Sequence, residues 1–134
     1  MISIKPNSLT LPATPDTIAP DGTLVRLLGA TQRGSMAHFE LAAGAVSHAV
    51  AHHTDEEIWY FLTGRGRMWR AYAGEATYID IGPGLSLTIP LGTHFQFRAD
   101  GEAALTFIAI TMPPWLGMDE AFRVVGPWTA TVAG

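Results

Sequence analysis

Residues 48–66, HAVAHHTDEEIWYFLTGRG, set His48, His52 and His53 beside Asp55, Glu56 and Glu57 at the head of an apolar run. Imidazoles and carboxylates hold transition metals and move protons near neutral pH. Their spacing decides which of them act together. Side chains on a strand alternate faces, so His48, Val50 and His52 point one way and His53 the other. His48 and His52 would stand roughly 13 Å apart at about 3.3 Å per residue, too far for one ion to bridge easily. His52 and Glu57 are better matched, because the residues between them (His53, Thr54, Asp55, Glu56) are polar and loop-like. If that loop closes a hairpin, the two become cross-strand neighbours with Cβ atoms about 4.5–5.5 Å apart. Such a pair serves as two ligands of one ion or as an acid hydrogen-bonded to an imidazole. Asp55 and Glu56 read most simply as turn residues in water. His48 and His53, taken singly, read as solvated or packed histidines.

Alternation past Glu57 places Trp59 and Phe61 on the same face, so the pair would sit against aromatic walls. A carboxyl among apolar side chains is costly to ionise and its pKa rises, whereas a charged His52 opposes that rise. Glu57 and His52 are thus candidates for general acid and base chemistry on a small substrate.

The elements that must position these residues are short β segments. Thr23–Leu28, Met36–Leu41, Val46–His52, Ile58–Leu62, Gly66–Tyr72, Ala76–Ile81, Leu85–Ile89, Phe95–Arg98 and Ala104–Thr111 read as strands. Turn chemistry breaks them at Arg33-Gly34-Ser35, Thr63-Gly64, Gly82-Pro83-Gly84, Leu91-Gly92 and Ala99-Asp100-Gly101. Many short strands with glycine at the corners predict a sandwich or barrel. Helical periodicity is absent before residue 118, and Asp119–Val125 is expected to form one short helical turn. Pro6, Pro12, Pro15 and Pro20 make residues 1–22 an extended arm, or edge strands with turns, lying across a neighbouring subunit or loosely attached. Residues 113–134, with Trp115, Phe122 and Trp128, must bury large apolar surfaces by capping the barrel mouth, packing on its outside or entering a dimer interface.

The chain has 134 residues, 48% of them hydrophobic, which suits one domain with a sizeable core. A net charge of −4 with only eight Lys plus Arg argues against nucleic acid as a partner. Cysteine is absent, so disulfide and thiolate chemistry are excluded. No apolar run approaches the about 20 residues of a membrane span, and a cytoplasmic protein with no membrane partner is expected. No G-x-S-x-G elbow is present, which argues against a hydrolase triad. Arg65, Arg67 and Arg70, interleaved with Trp69 and Tyr72, offer either an anion- or sugar-binding strand or a hairpin with one solvated face. Gly64 and Gly66 do not form a phosphate cradle, since no helix follows them.

Residues 36–111 resemble the cupins, whose first motif is written G-x5-H-x-H-x(3,4)-E-x6-G. Here Gly44, His52, Glu57 and Gly64 keep the register, and Val50 stands where the first metal-binding histidine belongs. The second motif, G-x5-P-x-G-x2-H-x3-N, is matched by Gly84, Pro90 and Gly92, with Phe95 at the ligand histidine and Ala99 at the asparagine. The tail MPPWLGMDEAFRVVGPW looks like that of some small cupins and adds no function. The resemblance implies an all-β double-stranded β-helix, or jelly-roll barrel, over residues 23–112, and a homodimer paired through its sheets. It implies a site at His52 and Glu57, in a pocket lined by Val50, Trp59, Phe61, Phe95 and Gln96.

Two protein ligands are fewer than the three or four of a tight transition-metal site. His94 is the candidate third ligand if a bulge turns it inward; otherwise it is one more solvated or packed histidine. Gln96 shares its parity and is a poorer ligand. Two expectations follow: iron, manganese, zinc or nickel bound by His52, Glu57 and His94, or no metal at all. Correspondingly, the protein is an enzyme of isomerase, lyase or dioxygenase type acting through His52 and Glu57, or a non-catalytic binder of a small organic molecule.

Overall fold

The alternation read in the apolar run is the alternation of the folded strand. Glu57, Trp59 and Phe61 are buried, and Glu56, Ile58, Tyr60 and Leu62 are exposed. The computed structural model describes residues 5–115, 117 and 119–133, and among these it contains strands and no helix. In chain order the strands are β1 (Thr17–Ile18), β2 (Leu24–Ala30), β3 (Ser35–Leu41), β4 (Val50–His52), β5 (Glu56–Thr63), β6 (Arg65–Tyr72), β7 (Glu75–Ile81), β8 (Ser86–Ile89), β9 (His94–Asp100), β10 (Leu105–Met112) and β11 (Ala121–Arg123).

They form two antiparallel sheets. The first runs β1-β2-β3-β10-β5-β8 and the second β11-β4-β9-β6-β7. The chain changes sheet after β3, β4, β5, β7, β8, β9 and β10, which is the crossing pattern of a jelly-roll barrel. The inner faces meet over an aromatic core. Trp59 stacks on Phe107 at 4.1 Å, and Phe61, Phe95 and Phe97 surround the pair. Each buried phenylalanine contributes about 2–3 kcal/mol of hydrophobic stabilisation. Gly64 joins β5 to β6 with φ of 81°, where a side chain would also collide with the Ala104–Leu105 backbone.

Two expectations are corrected. The strand expected over Val46–His52 is shorter. Val46 makes only a lone bridge to Arg98, and the Ser47 hydroxyl accepts the Phe97 N–H at 3.1 Å, so a side chain takes the place of a ladder partner. The helical turn expected from Asp119 is instead strand β11, antiparallel to β4 with Phe122 opposite Ala51. An uncovered edge of β4 would leave backbone donors and acceptors unpaired, and three residues of β11 satisfy them. The proline-punctuated arm ends in an edge strand. Thr17 and Ile18 pair with Val25 and Leu24, and Ala19 and Asp21 are buried.

Candidate functional site

His52 and Glu57 meet, but not as hairpin partners. β4 belongs to the second sheet and β5 to the first, so residues 53–55 carry the chain across the barrel end and the two side chains face each other between sheets. His52 Nδ1 lies 4.0 Å from Glu57 Oε2, both side chains being more than nine-tenths buried. That distance is too long for a hydrogen bond, and Nδ1 has no other partner. Glu57 is held from two sides. Its Oε1 accepts the Trp59 indole N–H at 2.8 Å, and its Oε2 accepts the hydroxyl of Thr111, its neighbour on β10, at 3.1 Å. Burial pushes the Glu57 pKa up, against the opposing pull of His52, Trp59 and Thr111.

A second carboxylate, Asp21, enters from the turn before β2, and the sequence reading missed it. Its Oδ1 accepts the Thr23 N–H at 3.0 Å and the Thr23 hydroxyl at 2.6 Å, and burial raises its pKa. The Asp-Gly pair at 21–22 signals a turn, yet nothing local says that this turn folds into the barrel mouth.

His52, Glu57 and Asp21 line a cavity together with Val50, Trp59, Phe95 and Trp115, and Pro20 and Ala121 also border it. Its volume is about 20 Å³, room for one water-sized molecule. The aromatic lining agrees with the expected pocket, but the size does not, because Phe39, Phe95 and Trp115 fill the space. Phe61 is buried behind Trp59, ring centroids 6.0 Å apart, and does not reach the cavity wall.

The remaining expected residues lie elsewhere. His94 is exposed opposite Ala71 on the outer face of the second sheet, and no bulge turns it inward. Gln96 is buried, but on that same outer face, where it clamps the C-terminal segment. Its Nε2 donates to the carbonyls of Ser47 and Trp128 at 2.8 and 2.9 Å, and its Oε1 accepts the Trp128 N–H at 3.1 Å. His53 is exposed against Phe122, and His48 Nε2 lies 3.2 Å from the Ala133 carbonyl. Asp55 is not a solvated turn residue. It is fully buried with neither carboxylate oxygen hydrogen-bonded, and burial, reinforced by the nearby Glu120 charge, pushes its pKa up to about 6. Glu120 accepts the N–H groups of Thr54 and Asp55 at 2.6 and 2.7 Å and the Thr54 hydroxyl at 2.8 Å. Burial pushes the Glu120 pKa up, but those donors together hold it below the usual range.

The donor set fits a transition metal poorly. Val50 and Phe95 are direct cross-strand partners at the mouth and carry no lone pair. His94 is turned away, and Glu57 already accepts two hydrogen bonds. Among the described residues no group of three His, Asp or Glu side chains is arranged to hold an ion.

Solved structures of similar fold include oxalate decarboxylase from Bacillus subtilis, with a TM-score of 0.73 at 16% identity over 90% of this chain and 33% of that one. A Bacillus halodurans protein has a TM-score of 0.62 at 17% identity over 70% of this chain and 73% of its own. The capsular polysaccharide assembling protein CapF from Staphylococcus aureus gives 0.66 at 15% identity, over 78% of this chain and 32% of its own. The chain thus spans about a third of the oxalate decarboxylase and CapF chains. At these identities the likeness is one of fold. The Bacillus subtilis oxalate decarboxylase has Mn(II) centres, whereas the donors here fall short of such a centre. No curated protein matches the sequence. Residues 37–111, more than half of the chain, match the cupin domain profile, and the protein belongs to the cupin family.

Proposed function

We propose that this cupin binds a small polar organic molecule at its barrel mouth through His52, Glu57 and Asp21, without a metal ion. One observation carries the reading. An unpartnered buried imidazole nitrogen and a buried carboxylate oxygen stand 4.0 Å apart on a small, aromatic-lined cavity. A buried polar atom left unsatisfied, as His52 Nδ1 is, costs about 1–3 kcal/mol, and a polar ligand group that reaches it recovers part of that. One such group fits the present cavity. A larger ligand enters with Trp115 displaced, since that side chain lines the mouth.

The raised pKa of Glu57 favours a second reading, acid–base catalysis of isomerase or lyase type. A buried carboxyl whose pKa is raised, facing an imidazole at 4.0 Å, has the makings of an acid–base pair. Dioxygenase chemistry would require a metal that this donor set holds poorly, and is not proposed.

The Trp59 indole N–H rests on Glu57, so its nuclear magnetic resonance signal reports the site. Titration with short-chain alcohols, ketones and carboxylic acids is expected to shift that signal saturably for at least one compound. Glu57→Gln is expected to weaken the binding about tenfold. No shift with any compound, or equal affinity in the variant, would refute the reading. Turnover of the bound compound, followed in the same samples, separates the enzyme from the binder.

A further inference from the structure

On the outer face of the second sheet, β6 and β9 set Arg67 directly opposite Arg98. Like charges in that register repel. Arg98 is partly compensated, since its Nε–H donates to Asp100 at 3.0 Å. Arg67 makes no ion pair among the described residues, although Asp80 is its register partner on β7. Its Nε–H is buried without an acceptor.

Aromatic rings wall the pair. The Arg67 guanidinium lies 5.3 Å from the centroid of Tyr78, and that of Arg98 lies 4.7 Å from Trp128. The two rings meet edge-on at 5.9 Å. Stacking uses the flat face of a guanidinium, whereas its N–H donors radiate in the plane. These four residues line an open groove of about 230 Å³. Trp128 is held over it by the Gln96 clamp on its backbone, and the chain reaches that position through Gly126, where a side chain would collide with Gln96 and Ala49.

We propose that Arg67 and Arg98, walled by Tyr78 and Trp128, form an oxyanion site for the carboxylate or phosphate group of a small molecule. An oxyanion between the two forks relieves their repulsion and accepts the geometry that guanidinium donors favour. The site is independent of the barrel mouth, because Phe95 and Phe97 of β9 face the core while Gln96 and Arg98 face outward.

The test follows the Trp128 indole signal of the full chain during titration with inorganic phosphate and, separately, benzoate, at ionic strength held constant with sodium chloride. A saturable Trp128 shift, weakened tenfold or more in Arg67→Gln while the Trp59 signal stays in place, is the expected result. Response to phosphate alone assigns the site to phosphate groups, and response to benzoate alone to carboxylates. Arg67→Lys keeps the charge and loses the fork, and is expected to weaken binding several-fold, which holds the test open if Arg67→Gln fails to fold. No saturable shift with either anion, an equal shift with chloride, or unchanged affinity in the Arg67 variants would overturn the proposal.

Discussion

Asp55 shows how far a residue's chemistry depends on where the chain later goes. Local sequence makes it a turn acid, but Glu120, 65 positions later, takes the backbone N–H of Asp55 and helps to bury it. No pattern within the 53–57 segment signals that. Its pKa is raised from 3.8 to about 6, so the folded protein keeps a proton that the unfolded chain releases. The contribution of Asp55 to stability therefore falls as pH rises between about 4 and about 6 and is flat above. Asp21 and Glu57, both raised, act in the same sense, whereas the lowered Glu120 contributes stability that is lost on acidification. Asp55→Asn is expected to flatten the decline and to raise stability at pH 7.5 by about 1–2 kcal/mol in urea melts. An unchanged pH profile would place the Asp55 carboxyl in water. The His52–Glu57 pairing itself was legible, because the G-x5-V-x-H-x4-E-x6-G spacing marks it. Its hairpin geometry was not, because five residues of spacing fit a crossing between sheets as well as a turn within one.

Among the elements, β11 matters most to the mouth. It adds an edge to β4, places Ala121 at the cavity, and follows Glu120, whose carboxylate gathers three donors from Thr54 and Asp55. Glu120→Ala is expected to cost about 2–4 kcal/mol, since it strips one buried and two part-buried donors of their acceptor. It should also speed amide hydrogen exchange at residues 52–55 and 121–123. Glu56→Ala, on the exposed side of β5, is expected to stay within about 0.5 kcal/mol of the parent. Equal effects of the two substitutions would refute this role of Glu120. The longer strands were readable because alternation repeats over seven or eight residues, as in β5 and β10. Three residues of β11 carry no period, and tertiary pairing alone decides their state.

At the scale of the whole molecule, the barrel was legible because its motif encodes corners. Gly44, Gly64, Gly84 and Gly92 all have positive φ, a backbone requirement that other residues meet only at a cost. The ligand positions are side chains on regular strand, so Val50 and Phe95 occupy them without disturbing the corners. The outer face of the first sheet stayed apolar. Met36, Ile110 and Ile58 form one row across three strands, and His38, Ile108 and Tyr60 form the next. We propose that two copies pair through this face, as the family resemblance implies. Ile58→Lys is then expected to sediment as a monomer where the parent is a dimer; identical masses for the two would contradict the pairing.

The central claim is that the mouth keeps a metal cupin's frame and lacks its donors. Transition-metal content measures this directly, for protein purified without chelators or nickel affinity and for the combined Val50→His and Phe95→His variant, which restores two imidazoles beside His52 and Glu57. A metal-free mouth predicts well under one metal per parent chain, and the intact frame predicts about one in the variant. About one equivalent of iron, manganese, zinc or nickel in the parent, lost on His52→Ala, would contradict the claim.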